Sequence, residues 1–286
     1  MKAKILLQTI LMLVITFASS WSASALDDVE ISVINAGKNV YMLKGAGGNI
    51  GLIATDDGLL LVDDQFAPLA KKIEAAMKSI NDKPIKYVIN THYHGDHTGS
   101  NAHFANHAPI FAHRNVRQRL QNNPKIQSEA LPVVTYDNGV SIHLAQEEVK
   151  LTHLPHGHTD GDTIVYFSHA NVLHTGDLFF EVGFPYVDLK GGGSVKGYLA
   201  NVEYMINNFP DDVVIIPGHG KLTNKDTLKA YAKMLRYSID RVSNALSAGK
   251  NEQQILEQGI GSQYQHMSWR FITEEKWLKT LIEDLK

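Results

Sequence analysis

Thr91-His92-Tyr93-His94-Gly95-Asp96-His97-Thr98-Gly99-Ser100 places three histidines and a carboxylate within six positions, directly after the run Ile85-Lys86-Tyr87-Val88-Ile89-Asn90. In an extended segment residues i and i+2 point to the same side. His92 and His94 therefore share a face, as two ligands of one metal ion must. Gly95 lets the chain turn sharply, which turns Asp96 and His97 toward a second point nearby. Imidazole suits zinc and other borderline divalent ions, and a carboxylate adds a harder oxygen ligand. The bland alternative is a solvated loop that happens to be rich in histidine. The spacing, and the ligand types supplied by later segments, speak against it. Zinc-protease patterns do not fit either, because H-E-x-x-H needs helical i, i+4 spacing and here a β-like run feeds a glycine turn.

Upstream of this stretch, Val29 to Val33, Val40 to Leu43 and Asn49 to Ala54 are short β-prone runs separated by glycines. Asp56-Asp57-Gly58 reads as a hairpin turn, and Leu59-Leu60-Leu61-Val62 as a buried strand ending at Asp63-Asp64. The Gly45–Gly51 cluster lacks the helix and the Lys-Ser/Thr pair of a phosphate cradle, so it reads as a turn between strands. Pro68 to Ile80 repeats apolar residues at helical period. Downstream, Ser100 caps a helix through Asn106, Pro109 to Ala112 is a strand and Asn115 to Gln121 a polar helix. His103, His107 and His113 in this region read as surface or packing histidines. Strands at Val133–Tyr136, Gly139–Leu144 and Glu148–Leu154 lead to Pro155-His156-Gly157-His158-Thr159-Asp160-Gly161-Asp162. Strands at Thr163–Phe167 and Asn171–His174 end at Thr175-Gly176-Asp177. A helix over Lys196–Phe209 and a strand over Val213–Ile216 lead to Pro217-Gly218-His219-Gly220, and helices over Lys225–Ala248 and Thr273–Leu285 close the chain. Periodicity gives an alternating α/β class.

The H-x-H-x-D-H pattern of His92, His94, Asp96 and His97 resembles the signature of the metallo-β-lactamase superfamily, and the likeness extends over most of the chain. It implies a four-layer αββα sandwich in a single domain, 26–286. It also implies that His158 completes a three-imidazole site with His92 and His94. Asp96, His97 and His219 would form a second site, and Asp177 would bridge the two. His156 is left as a candidate for supporting a ligand from behind. Asp162 either orients a ligand imidazole through its other ring nitrogen or caps a turn.

That set implies two Zn2+ ions, with manganese or iron able to compete because Asp177 offers hard oxygen rather than thiolate. A water bridging two cations can ionise near pH ~7 instead of ~15.7 and serve as nucleophile, with Asp96 orienting it or relaying its proton. The reaction class is metal-assisted hydrolysis of a small molecule: a cyclic amide, ester or thioester, with β-lactam the first candidate and lactonase or glyoxalase-II-like thioesterase the alternatives. Flavo-diiron members carry glutamate where His94 stands. Iron persulfide dioxygenases use a single metal, so the full ligand set argues against an oxidative enzyme and against a non-catalytic metal-binding protein. Phe180 stands where one β-lactamase group keeps lysine and some lactonases tyrosine. Lys190 is the nearest substitute cation, or a plain surface lysine. Phe179, Phe180, Phe184, Pro185 and Tyr186 are expected to line one wall of the cleft, with Tyr93 and Phe66-Ala67-Pro68 another, or else to pack in the core. Gly191-Gly192-Gly193 reads as a mobile flap or a surface loop.

The N-terminus reads as an export signal. Lys2 and Lys4 precede an apolar core from Ile5 to Phe17, and Ala23-Ser24-Ala25 is a small-x-small cleavage site. Residues 1–25 are thus expected to be a signal peptide, the alternative being an uncleaved anchor. The mature protein would be periplasmic or secreted and free of the membrane. The absence of cysteine excludes disulfides and thiolate ligands. A net charge of −3 without a basic run disfavours a nucleic-acid partner, and no oligomeric state is implied.

Overall fold

Two β-sheets pack face to face in the computed structural model, which describes residues 26–286; the expected signal peptide lies outside them. The first sheet begins as an antiparallel meander of β1 (Ser32–Gly37), β2 (Val40–Lys44), β3 (Ile50–Thr55) and β4 (Gly58–Val62). Helix α1 (Ala70–Ile80) then carries the chain back to β5 (Ile85–Asn90), which lies parallel to β4. The short helices α2 (Gly95–Thr98) and α3 (Asn101–Phe104), then β6 (Ile110–His113), α4 (Arg114–Gln121) and β7 (Val134–Tyr136), complete a seven-stranded sheet in sequence order. The second sheet holds β8 (Gly139–Leu144), β9 (Glu147–His153), β10 (Thr163–Phe167) and β11 (Val172–His174) as antiparallel neighbours. Helix α5 (Val195–Asn208) crosses to β12 (Val214–Ile216), parallel to β11, and β13 (Thr223–Asn224) forms the edge. Helices α6 (Lys225–Ser247), α7 (Glu252–Gln258) and α8 (Glu274–Leu285) follow.

Strand alternation builds the layers. In β4, Leu60 and Val62 face the second sheet and meet Val165, Phe167 and Ile216, while Leu59 and Leu61 face Ile73 and Met77 of α1. Both faces are covered, so the strand reads as an unbroken apolar run. The second sheet repeats the device: Ile164, Leu173 and Ile215 turn outward against Tyr198, Val202, Leu235 and Trp277 of α5, α6 and α8. The result is the αββα sandwich expected from the resemblance. Among the described residues, no helix is long and apolar enough to cross a membrane.

Three local readings differ. The first strand runs from Ser32 to Gly37, not Val29 to Val33, because the tight turn at Lys38-Asn39 pairs Gly37 with Val40 and sets the register from that end. Ser100 does not cap a helix through Asn106; its hydroxyl donates to the Phe66 carbonyl at 3.0 Å, and α3 ends at Phe104. Helix α7 is additional. Its signal was present, since Asn251 and Gln254 form a reciprocal capping box.

Phe167 is fully buried between the sheets. Phe167→Ala should lower unfolding stability by about 3–5 kcal/mol, read from urea denaturation; a loss under about 1 kcal/mol would mean that the sheets do not rely on this contact.

Candidate metal centre

The turns at the carboxyl ends of β4, β5, β11 and β12, with the β9–β10 turn, lie together at one end of the sandwich, where open α/β sheets place their ligands. They bring in all seven residues singled out from sequence. His92 and His94 follow β5, His94 in extended backbone, Asp96 and His97 sit on α2, and His158 lies between β9 and β10. Asp177 follows β11 and His219 follows β12.

Two groups result, joined at one carboxylate. In the first, the donor atoms of His92, His94, His158 and Asp177 all lie within 4.8 Å of one another. His158 Nε2 is 2.8 Å from His94 Nδ1, and Asp177 Oδ2 is 3.4 Å from His158 Nε2 and 3.7 Å from His92 Nε2. In the second, Asp96, His97 and His219 meet by the same measure. Asp96 Oδ2 is 3.4 Å from His219 Nε2, while Asp177 Oδ1 is 3.1 Å from His97 Nε2 and 3.4 Å from His219 Nε2. The two oxygens of Asp177 thus face different groups.

Hydrogen bonds behind the rings set their tautomers. Asp63 Oδ2 accepts from His97 Nδ1 at 2.7 Å and from the Thr91 hydroxyl at 2.7 Å. The Thr91 oxygen, its proton so committed, accepts from His92 Nδ1 at 3.1 Å. His158 Nδ1 donates to the Tyr186 carbonyl at 2.7 Å, and His94 Nε2 to Asp188 at 3.0 Å. Each ring therefore turns a lone pair toward the cluster, the arrangement a metal ligand requires. His219 is held differently, stacked on Phe180 with the ring planes 6° apart and centroids 5.1 Å apart. Asn49 supports its turn, donating through Nδ2 to the Pro217 carbonyl at 2.8 Å and through its backbone N–H to Gly218 at 2.7 Å.

The cluster fits a pair of cations. His92 Nε2, His97 Nε2 and Asp177 Oδ1 are buried without a hydrogen-bond partner, although buried polar atoms are ordinarily satisfied; the 3.1 Å approach of the last two lacks hydrogen-bond geometry. Burial holds His92 well below the usual imidazole range, reinforced by the charge of His97, and lowers His158 to about 4. In the second group burial also disfavours the charged ring, but the carboxylates outweigh it. Asp177, Asp96 and Asp63 raise His97 well above its ordinary value, and Asp177 and Asp96 raise His219 to about 9. Burial acts against the charge on Asp177 too, yet the surrounding imidazoles, His97 first, hold it well below the carboxylate range. Positive charge is favoured here, whether as protons or as a metal ion.

Asp63, Asp188 and Asn49 were not singled out from sequence. For Asp63 a signal exists only in the backbone. It and Gln65 are buried and left-handed, with φ of 63° and 54°, a conformation that non-glycine residues adopt at a cost of roughly 1–3 kcal/mol and that collects at functional sites. Asp188 accepts from His94, from the Tyr93 hydroxyl and from Gly191 N–H. Burial opposes its charge, but those bonds hold it far below the carboxylate range.

Other expectations resolve as follows. Asp162 caps a turn, accepting from Thr159 N–H and hydroxyl, and burial raises it to about 8. His156 donates to or accepts from nothing in the cluster; its Nδ1 bonds the Gly192 carbonyl. Lys190 is exposed. Gly191–Gly193 is not a free flap: Gly191 and Gly193 are buried, and their N–H groups bond Asp188 Oδ1 and the Asp188 carbonyl. Phe179, Phe180 and Phe184 are core residues, each at most 1% exposed, and Phe180 meets the site from behind, stacked on His219 and edge-on to His158. His103 pairs with Glu74 at 3.2 Å and, with His107, makes a separate, partly exposed group. His113 stacks on His153.

The metallo-beta-lactamase superfamily model matches residues 43–219, a span containing every residue of the cluster, and the chain belongs to that superfamily. It is a metal-dependent hydrolase. A hydroxyacylglutathione hydrolase of Polaromonas sp. is 28% identical over 204 residues, covering 65% of this chain and 72% of that protein. Lactamase-like protein aptB of Emericella nidulans is 26% identical over 220 residues, or 75% of this chain and 65% of that protein. In fold, the chain is similar to a metallo-beta-lactamase from Pontibacter korlensis, with a TM-score of 0.64 at 17% identity over 72% of this chain and 99% of that one.

Two outcomes follow from the supporting bonds. Asp63→Asn and Asp188→Asn should each weaken metal retention by about 10–100-fold, measured by competition with a chromophoric chelator; unchanged retention in both would remove their orienting role. A Cβ at Gly48 would stand 2.1 Å from His97 Cε1, so Gly48→Ala should displace that ring and lower the number of ions bound per folded chain, counted by elemental analysis.

Proposed function

We propose that the protein is an exported, dinuclear zinc hydrolase, its mature form a single domain from residue 26. It acts on a small molecule with a carboxyl-derived bond, and a thioester or ester stands ahead of a β-lactam. The observation that carries the dinuclear reading is the division of Asp177, with Oδ2 toward His92 and His158 and Oδ1 toward His97 and His219. His92, His94 and His158 would hold one ion, Asp96, His97 and His219 the other, and Asp177 both. Bound there, the ions supply Lewis acidity and a water that ionises near neutral pH.

The chain's own residues do the rest. Burial keeps His92 and His158 neutral, so the first group binds without cancelling the charge of its ion. Asp96, a quarter exposed, is the carboxylate of the second group that reaches the open side. One of its oxygens faces His219, and the other is left to accept the proton of the attacking water. Asp63 and Asp188 hold His97 and His94 in the donor tautomer, so that no ring has to reorient during turnover.

The preference for a thioester or ester rests on the hydroxyacylglutathione hydrolase relative, whereas the likeness to a solved metallo-beta-lactamase is one of fold. The position where a lysine would meet a β-lactam carboxylate is Phe180, buried behind His219. A single-iron oxidative enzyme is disfavoured by the second group, which such a site leaves without a role.

Metal-replete protein should hydrolyse members of a panel of thioesters, lactones and β-lactams, and lose that activity on chelation. Asp96→Asn should reduce kcat by about 10²–10⁴-fold at unchanged fold. Hydrolysis indifferent to both treatments, or one iron per chain with oxygen uptake, would overturn the proposal.

A further inference from the structure

Beyond the span matched by the superfamily, the segment between α7 and α8 returns to the site. It is pinned to the turn after Phe180 by two bonds to one residue: Phe184 N–H donates to the Met267 carbonyl, and Trp269 Nε1 donates to the Phe184 carbonyl, both at 2.9 Å. The fit depends on Gly183, whose φ is +153° and where a Cβ would stand 2.1 Å from the Met267 carbonyl oxygen and 2.8 Å from Trp269 Cδ1. Lys276 Nζ donates to the Phe271 carbonyl at 2.8 Å and lies 5.3 Å from its ring, fixing that residue as well.

The docked segment closes a chain of rings from one metal group to the other. Trp269 lies 6.3 Å from His219, Phe271 5.8 Å from Trp269, Tyr186 5.5 Å from Phe271, and His94 5.7 Å from Tyr186, centroid to centroid. Tyr186 is also 5.6 Å from His158. Unlike Phe179, Phe180 and Phe184, which are buried, Trp269 and Tyr186 are partly exposed and Phe271 is half exposed. Large apolar rings held rigidly beside a polar centre, with one side left to solvent, are how small-molecule sites obtain affinity and orientation.

We infer that Trp269, Phe271 and Tyr186 form a specificity subsite for a flat, apolar ring carried by the substrate next to the bond that is hydrolysed. This rests on the hydrolase reading above and names the substrate class within it: aromatic or fused-ring thioesters and esters rather than small aliphatic ones. Two of its three rings, Trp269 and Phe271, belong to this chain's C-terminal segment beyond the region matched by the superfamily, and Tyr186 lies within that region.

The test compares S-2-naphthoyl-N-acetylcysteamine with S-acetyl-N-acetylcysteamine, and S-2-naphthyl thioacetate with S-ethyl thioacetate, so that the ring is placed on the acyl side and then on the leaving side. The metal-loaded wild-type protein and Phe271→Ala are assayed, with calorimetric titration of 2-naphthoate as a readout independent of turnover. Phe271 is half exposed, so the variant is expected to fold. A second variant, Phe271→Trp, keeps a flat ring in place. The expected result is a preference for the ring-bearing member of at least one pair, reduced about ten-fold in kcat/KM by Phe271→Ala and retained in Phe271→Trp. Naphthoate binding should weaken in parallel, and the aliphatic members should change little. Equal turnover within both pairs, or a preference that Phe271→Ala leaves intact, would overturn the subsite while sparing the hydrolase reading. Failure of every thioester, lactone and β-lactam with metal bound would instead count against the hydrolase reading, and naphthoate titration unaffected by Phe271→Ala would then dispose of the subsite on its own.

Discussion

One buried carboxylate has to face imidazoles from both halves of the fold, and most of the architecture at the site serves that requirement. Asp177 is 5% exposed and stands within 3.7 Å of His92, His97, His158 and His219. An ionised carboxylate so far from water is tolerated only when opposite charge or strong donors surround it. The site meets that condition with protons on His97 and His219 or with cations between the groups. Because strands from both sheets deliver the partners, site assembly and sandwich assembly are the same event: β5 and the start of α2 come from one sheet, β11 and β12 from the other.

A second ring of contacts makes the geometry rigid. Asp63 serves His97 directly and His92 through the Thr91 hydroxyl. Asp188 serves His94 and the Tyr93 hydroxyl while closing the Gly191–Gly193 turn. Arg119 meets Asp160 through two bonds at 2.7 and 2.6 Å and lies 5.2 Å over the Tyr93 ring, tying α4 to the turn that bears His158. Side chains so locked lose little further freedom on binding a metal ion or a substrate, which is the physical content of a preorganised site. The left-handed backbone at Asp63 and Gln65 is accepted for the same purpose.

The aromatic arch adds what the superfamily scaffold does not fix. A metal pair can polarise many carbonyl groups, so discrimination must come from what surrounds it. Here that surrounding includes a segment far along the chain, clamped to Phe184 and presenting Trp269 and Phe271 beside the ligands. Two of the three rings of the inferred subsite thus come from outside the stretch that supplies the cluster residues, and Tyr186 comes from within it.

The sequence alone carried the His92–His97 part of the candidate cluster and the alternating α/β class, for a local reason, and the four-layer sandwich came from the resemblance. H-x-H-x-D-H at a strand end expresses in ten residues the two-residue period that turns His92 and His94 the same way, and the apolar runs of β4 and β12 declare strands covered on both faces. His158, Asp177 and His219 were legible through resemblance, since nothing local in Pro217-Gly218-His219-Gly220 marks a ligand. Only the tertiary structure decided the supporting residues. Nothing in the local sequence marks Asp63, Asp188, Asn49 or Trp269, and they acquire roles through partners that are, for Asp188 and Trp269, about 85 to 95 positions away. It likewise decided between cleft wall and core for Phe180, placing it in the core behind His219, and between flap and surface loop for the glycine run, which forms a packed turn. Such contacts depend on which segments the sheets bring side by side, and that information is distributed over the whole chain rather than written in any stretch of it.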